Sequence, residues 1–300
     1  MIPSGRAVPA PGPRWHVHGY NRAEIYRLAA ATAWMPRALR LGIAARVGRL
    51  AMAMMPDERA AARTTLASIT GAGGARLERL TARLFSEYAM CFSDLLSTNR
   101  QGSDALADHV DRVCGIEHLD GLRSGIVSLT AHVGNWDLAG RLLARASARP
   151  THVVVAVEEE QALERWLRRD GHGMRFIARS HPTVSLGLLA ALRRGEAVGM
   201  QGDRALGGAG DVLVPFFGRP APFPIGPFRL AAAARVPVVP AFCTLGDDRR
   251  YDITVHAPLV IGPGTEEDAL RAFVGHLERL VAERPTQWFN FFDIWNPVRI

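Results

Sequence analysis

The strongest constraint on the fold is the alternation of short apolar runs with longer segments of helical periodicity along most of the chain. Apolar runs of five or six residues predict buried strands, and apolar residues that recur every three to four positions predict helices between them. This alternation predicts an α/β fold, in which a mostly parallel central sheet carries helices on both faces. Strands are predicted near 125–130, 152–157, 174–178, 197–201, 212–216, 237–243 and 251–256, and helices near 135–147, 159–170, 183–194, 225–235 and 266–283.

The first part of the chain has a different character. Its first 14 residues contain four prolines and two glycines without apolar periodicity, so residues 1–20 are predicted to form a flexible tail. We predict one domain over 21–300, with N-terminal membrane-associated helices (21–70) followed by an α/β catalytic core (75–300). Helices before the core are predicted at 22–34, 37–55 and 57–69, and a further one ends near residue 97.

One face of the helix predicted at 37–55 is apolar and is flanked by arginines. Two interpretations of this stripe are open: it faces the protein core, or the helix lies in a membrane interface with arginine side chains reaching lipid phosphates. No run in the sequence reaches the ~18 apolar residues that a bilayer-spanning helix needs. The stripe consists of Leu39, Ile43, Val47, Leu50 and Met54.

The charge balance narrows the range of partners. The net charge is +7, and all 36 basic residues are arginine. A basic protein is attracted to anionic membrane surfaces and to acidic carriers. The arginines are scattered and no nucleic-acid motif occurs, so nucleic-acid binding is not predicted. The three cysteines are far apart, which predicts neither a zinc site nor a disulfide framework but reduced thiols in a cytosolic setting, and no secretory signal is recognisable.

The candidate catalytic residues begin where the strand at 125–130 ends. His132 follows this strand, and Asp137 comes five positions later, in the first turn of the next helix. Open α/β sheets keep their sites at the carboxyl ends of their strands. We therefore predict that Asp137 hydrogen-bonds one imidazole nitrogen and leaves the other as a general base. A structural histidine with a helix-capping aspartate is the alternative.

The chain offers no obvious protein nucleophile, since it contains no Gly-x-Ser-x-Gly elbow. A candidate general base, His132, without a protein nucleophile suggests that the substrate itself supplies the nucleophile. A hydroxyl of the acceptor would then lose its proton as it attacks a carbonyl. Backbone amides of Gly134 and Asn135, at the start of a helix, are candidates for stabilising the resulting oxyanion. Simple loop geometry is the alternative explanation of these two residues.

Further candidates for substrate binding follow later strands. Arg204 is a candidate phosphate ligand held by Asp203, and Arg229 is a second one; a surface salt bridge is the alternative for the pair. Aromatic residues at the end of the strand near 212–216 are candidate walls of an apolar groove for an acyl chain, or else ordinary core residues. These groove candidates are Phe216, Phe217 and Gly218.

Taken together, these blocks resemble a known family. His132-Val133-Gly134-Asn135-Trp136-Asp137 is similar to the His-x4-Asp/Glu box of the lysophospholipid acyltransferase superfamily. The resemblance is strongest to its bacterial branch, which includes lipid A (lauroyl/myristoyl) acyltransferases and phosphatidylinositol mannoside acyltransferases. Blocks at 192–199, 202–204 and 214–221 follow in the family's order, and the resemblance extends over about residues 75–295.

The resemblance implies an O-acyltransferase that moves a fatty acyl chain from acyl carrier protein or coenzyme A to a hydroxyl of a lipid or glycolipid. His132 would act as general base and Asp137 would orient it. It also implies peripheral attachment to the cytoplasmic face of the bacterial inner membrane, and no metal or other cofactor. A lipid ester or thioester hydrolase on the same fold and a non-catalytic lipid-binding protein are the alternatives. The acceptor, the acyl chain length and the oligomeric state do not follow from the sequence.

Overall fold

The computed structural model describes residue 27 and residues 30–98, 107–155, 174–179, 183–205 and 210–295. The predicted tail at 1–20 and the predicted helix at 159–170 lie outside these residues, as does much of the predicted helix at 22–34. The predicted domain boundaries stay a prediction.

The described residues form seven α-helices and nine strands, with short 3-10 helices between some of them. Predicted and observed elements agree closely, except that the sequence did not predict β1 and β7. The helices are α1 (Arg37–Met54), α2 (Pro56–Thr70), α3 (Gly74–Thr98), α4 (Trp136–Ser147), α5 (Val184–Arg193), α6 (Gly226–Ala234) and α7 (Glu266–Glu283). The strands are β1 (Val110–Cys114), β2 (Ile126–Thr130), β3 (Thr151–Val155), β4 (Met174–Ala178), β5 (Ala197–Gln201), β6 (Asp211–Phe216), β7 (Arg219–Pro224), β8 (Val238–Leu245) and β9 (Tyr251–Val255).

Seven strands form one mostly parallel sheet in the order β1-β9-β8-β2-β5-β3-β4. The strands from β8 to β4 run parallel, whereas β9 is antiparallel to β8. This agrees with the predicted fold class. The central position of β2 places the turn after it at the middle of the sheet's edge, where ligands bind in such folds.

The strands β6 and β7 form a separate hairpin. Its Phe217-Gly218 turn has positive φ at both residues, as a type I′ turn requires. Along a hairpin with such a turn, residue pairs that exchange hydrogen bonds alternate with pairs that do not. The prolines of β7 fall in the pairs that do not, so their missing N–H groups remove no hydrogen bond between the two strands. Strand patterns normally exclude proline, which is why the sequence did not predict β7.

Helices cover both faces of the large sheet, as the alternating pattern predicted. Val127 and Leu129 of β2 pack on one face with α5, α6 and α7, where Phe273 is fully buried. Ile126 points to the other face and packs with α2, α3 and α4, where Phe85 is buried. Because successive side chains of a strand point to opposite faces, β2 contributes to both cores and is held firmly in place.

Helix α1 packs on α3 through its small and polar face. A Cβ at Gly48 would lie 2.4 Å from the carbonyl oxygen of Phe85, so glycine allows the two helices to approach closely. Arg37 and Arg40 both reach the buried carboxylate of Asp94 on α3, at 2.7 and 2.9 Å. These ion pairs fix which face of α1 turns inward.

The apolar stripe of α1 consequently faces solvent. Its residues Leu39, Ile43, Val47, Leu50 and Met54 are between 41% and 81% exposed, and Trp34 just before the helix is 83% exposed. The core-facing interpretation of this stripe is therefore wrong.

None of the helices in the described ranges combines the length and apolar character needed to cross a membrane.

Candidate active site

The pairing of β2 with β5 brings two predicted site residues together. Thr130 and Gln201, the last residues of these strands, are partners in the parallel register. His132 and Asp203 each lie two residues beyond these partners. Because both strands point the same way, the two side chains meet at the carboxyl edge of the sheet.

His132 and Asp203 form a buried hydrogen-bonded pair. The Nδ1 of His132 lies 2.8 Å from Oδ1 of Asp203, and the backbone N–H of His132 donates to Oδ2 of the same carboxylate at 3.0 Å. The exposed fraction is 9% for His132 and 1% for Asp203. The imidazole packs edge-on against the ring of Trp136, with centroids 5.1 Å apart. The carboxylate thus holds both the backbone and the side chain of the histidine.

A third donor to this carboxylate comes from the C-terminal part of the chain. The indole Nε1–H of Trp288 donates to Oδ2 of Asp203 at 3.0 Å. Trp288 also forms a β-bridge with Val133, and the N–H of Phe289 donates to the carbonyl of His132 at 2.8 Å. The sequence alone does not place Trp288 beside His132 and Asp203, because an aromatic residue in an aromatic-rich segment by itself indicates packing.

The electrostatics favour a neutral imidazole beside an ionised carboxylate. Burial lowers the pKa of His132, the positive charge of Arg204 lowers it further, and Asp203 opposes both effects. Burial alone would raise the pKa of Asp203, but the charge and hydrogen bond of His132 and the charge of Arg204 hold that pKa well below its usual range. An ionised Asp203 accepts a hydrogen bond from Nδ1–H, which leaves the lone pair of His132 on Nε2.

The structure contradicts the predicted contact between Asp137 and His132. Asp137 instead forms an ion pair with Arg141, with Oδ2 2.7 Å from Nη2. Both residues lie on α4 and are four positions apart, so they share one face of the helix. Asp203 occupies the position on the imidazole that the sequence pattern predicts for Asp137.

The amide of Gly134, predicted to help form an oxyanion hole, is engaged elsewhere, since it donates its N–H to the carbonyl of Gln287 at 3.0 Å. Burial raises the pKa of the Cys243 thiol to about 12, and the nearby backbone N–H of Asn135 opposes that rise. Gly134 has φ +52°, and a Cβ there would lie 2.2 Å from the carbonyl oxygen of Cys243. Asn135 caps α4 by accepting a hydrogen bond from the N–H of Leu138. Both residues shape the turn, so the loop-geometry alternative describes them better.

Arg204 lies beside the pair and is half-buried. Its Nη2 donates to the carbonyl of Phe289 at 3.1 Å, and its guanidinium lies 5.7 Å from the ring centre of Phe292. Burial lowers the pKa of Arg204. The predicted phosphate contact stays a prediction, while the charge of Arg204 acts on His132.

The residues predicted to bind an acyl chain or phosphate do not form one group. Phe216 is fully buried and packs edge-to-face on Trp288, with centroids 5.4 Å apart, so it is a core residue. Phe217 and Gly218 form the hairpin turn, and Arg229 is exposed on α6. Among the described residues, no cluster of histidine, cysteine and acidic side chains is arranged to hold a metal ion.

Known proteins resemble the chain over most of its length. A phosphatidylinositol mannoside acyltransferase of Mycobacterium tuberculosis (strain CDC 1551 / Oshkosh) is 26% identical over 242 residues, which are 78% of this chain and 76% of the relative. One from Mycolicibacterium smegmatis is 25% identical over an alignment of 304 residues, 98% of this chain and 95% of the relative. The crystal structure of the 1-acyl-sn-glycerophosphate acyltransferase PlsC from Thermotoga maritima aligns with a TM-score of 0.39 at 16% identity, over 83% of this chain and 98% of that chain.

A family model gives the assignment. The model described as bacterial lipid A biosynthesis acyltransferase matches residues 25–296, which include His132, Asp203 and Trp288. The resemblance predicted from the sequence is thereby confirmed. The chain belongs to the bacterial lipid A biosynthesis acyltransferase family and is an acyltransferase.

Proposed function

We propose that this acyltransferase moves a fatty acyl group from a thioester donor to a hydroxyl of a lipid or glycolipid acceptor, with His132 as general base. The single observation that carries the proposal is the buried hydrogen bond of 2.8 Å between His132 and Asp203 at the carboxyl edge of the sheet. Asp203, and not Asp137, is the acid that orients the imidazole in this proposal.

In the proposed reaction His132 is the one group that accepts and returns a proton, and no side chain of the protein acts as nucleophile. His132 Nε2 accepts the proton of the acceptor hydroxyl while its oxygen bonds to the thioester carbonyl carbon. The tetrahedral intermediate then breaks its C–S bond, and the imidazolium returns the proton to the departing thiolate. The products are an ester and a free thiol. The ionised Asp203 stabilises the imidazolium that forms between the two steps.

The donor is proposed to be acyl carrier protein or coenzyme A. Acyl carrier protein is acidic and coenzyme A carries phosphates, so both suit a chain with a net charge of +7. The acceptor hydroxyl is proposed to belong to a lipid or glycolipid, in keeping with the names of the mycobacterial relatives. The chemistry assigned to His132 and Asp203 needs no metal or redox cofactor.

Attachment to a membrane surface is part of the proposal. Helix α1 presents a continuous apolar stripe to solvent, and Arg46 and Arg49 are exposed on the same helix. An exposed apolar face flanked by arginines binds well at the boundary between lipid headgroups and acyl chains. The ion pairs of Arg37 and Arg40 with Asp94 hold this face outward.

Sedimentation with phosphatidylglycerol-containing vesicles tests this attachment. The triple variant Leu39→Ser, Val47→Ser and Leu50→Ser should lose most vesicle binding while it keeps its circular dichroism spectrum. The matched control carries Leu213→Ser and Val260→Ser, which are 67% and 85% exposed elsewhere on the molecule. If both variants bind the vesicles equally well, the proposed role of α1 in membrane attachment is wrong.

The activity is tested by product analysis with purified protein, an acyl thioester and a membrane lipid extract. Wild-type protein should produce an acylated lipid and free thiol, and His132→Ala should lose about 10²–10⁴-fold or more in rate. If the protein releases free fatty acid without acylating a lipid, the proposed function is wrong and the protein is a hydrolase. Full transfer activity of His132→Ala would overturn the mechanism.

A further inference from the structure

The geometry points to Trp288 as a positioning residue that holds Oδ2 of Asp203 and so keeps Oδ1 on the Nδ1–H of His132. This inference rests on the proposed function of the pair. It concerns the tryptophan indole, which acts on the reaction through Asp203 and His132 rather than by touching a substrate.

The carboxylate of Asp203 is fixed by donors from two different chain segments. Oδ2 accepts from the backbone N–H of His132 and from Nε1 of Trp288, both at 3.0 Å. Oδ1 remains for the imidazole at 2.8 Å. Hydrogen bonds to charged groups are stronger than neutral ones, so two of them on Oδ2 oppose rotation of the carboxylate away from the histidine.

Trp288 is itself rigidly placed. Its side chain is 1% exposed and packs edge-to-face against Phe216. The preceding residue, Gln287, exchanges two side-chain hydrogen bonds with the backbone of Leu245 and accepts the N–H of Gly134 through its own carbonyl. Hydrogen bonds therefore hold the C-terminal segment both to β8 and to the turn after β2 that carries His132 and Gly134, and this fixes the direction of the indole N–H.

The indole also tunes the basicity of His132. In the described part of the chain, the charged groups that act on His132 are Asp203 and Arg204. A donor on Oδ2 withdraws negative charge from the carboxylate, so the imidazolium is stabilised less than it would be by a carboxylate without that donor. Loss of the indole N–H should consequently raise the pKa of His132.

The test compares Trp288→Phe with Trp295→Phe. The control indole belongs to the same aromatic cluster, with its ring centre 6.3 Å from that of Phe216, but its Nε1 donates to a backbone carbonyl rather than to Asp203. Trp288→Phe should lower kcat about tenfold or more with little change in the KM for the donor, and should move the acidic limb of the kcat/KM profile to higher pH. Trp295→Phe should leave the acidic limb in place even where it lowers stability.

A double-mutant cycle with Asp203→Asn completes the test. If Trp288 acts through Asp203, the rate loss caused by Trp288→Phe should largely disappear in the Asp203→Asn background. If Trp288→Phe does not fold, incorporation of 3-benzothienylalanine at position 288 removes the N–H and keeps the shape of the ring system. An unmoved acidic limb, or equal losses in both backgrounds, overturns the role of Trp288. Retained activity of His132→Ala would instead overturn the proposed function.

Discussion

Replacing each of the two candidate acids separately distinguishes the structure from the sequence pattern. Asp203→Asn removes the charge that accepts the Nδ1–H of His132, at nearly constant shape. Asp137→Asn removes the ion pair with Arg141 on α4. The first change should nearly abolish transfer, and the second should leave it almost intact.

The expected magnitudes follow from the contacts. An asparagine at 203 can donate its amide N–H to Nδ1, which forces the imidazole proton onto Nε2 and removes the base. In serine proteases the corresponding change lowers kcat by about 10⁴-fold, or about 5 kcal/mol in the barrier. The ion pair of Asp137 with Arg141 is largely buried, so its loss lowers stability rather than the basicity of His132. Asp137→Asn leaves the hydrogen bond between Asp203 and His132 in place, and Arg141 keeps its hydrogen bond to the carbonyl of Thr98, so kcat of the folded variant should stay within about twofold of wild type.

The assay follows thiol release and lipid acylation in parallel, with circular dichroism of each variant as the check of folding. The two readouts must change together, since the proposed reaction yields one thiol for each ester. A loss of 10³-fold or more in folded Asp137→Asn, combined with near-normal rates of Asp203→Asn, would refute the assignment and restore the arrangement predicted from the sequence.

Three further predictions concern pH and packing. The acidic limb of the wild-type kcat/KM profile should lie below pH 6.5, the ordinary pKa of histidine, because burial lowers the pKa of His132. Gly134→Ala should destabilise the protein by about 1–3 kcal/mol in urea unfolding, since its Cβ would strike the carbonyl of Cys243. Burial, and then the charge of His276, lower the pKa of His256 from 6.5 to about 4. As the pH falls from 6.5 towards about 4, His256 therefore takes up a proton in the unfolded chain before it does so in the folded protein, and the stability of the folded protein decreases. His256→Asn should weaken this pH dependence in unfolding curves measured at several pH values.

Several features of the molecule could be predicted from short stretches of sequence. The strands and helices of the α/β region follow from apolar periodicities that are local by nature. The position of His132 just beyond a strand end follows from the same pattern. The stripe of α1 could also be recognised, but not its direction, because that depends on the contacts of Arg40 and Gly48 with another helix, α3.

The partner of His132 was decided by tertiary structure alone. A sequence pattern favours an acid close along the chain, and Asp137 is only five positions away. The acid in contact is Asp203, 71 positions away, and the third member of the group, Trp288, is a further 85 positions along. Strand order brings them together: β5 is hydrogen-bonded to β2 although β3 and β4 lie between them in the chain. Hydrogen bonds between distant strands set that order, and no local periodicity of the chain carries this information.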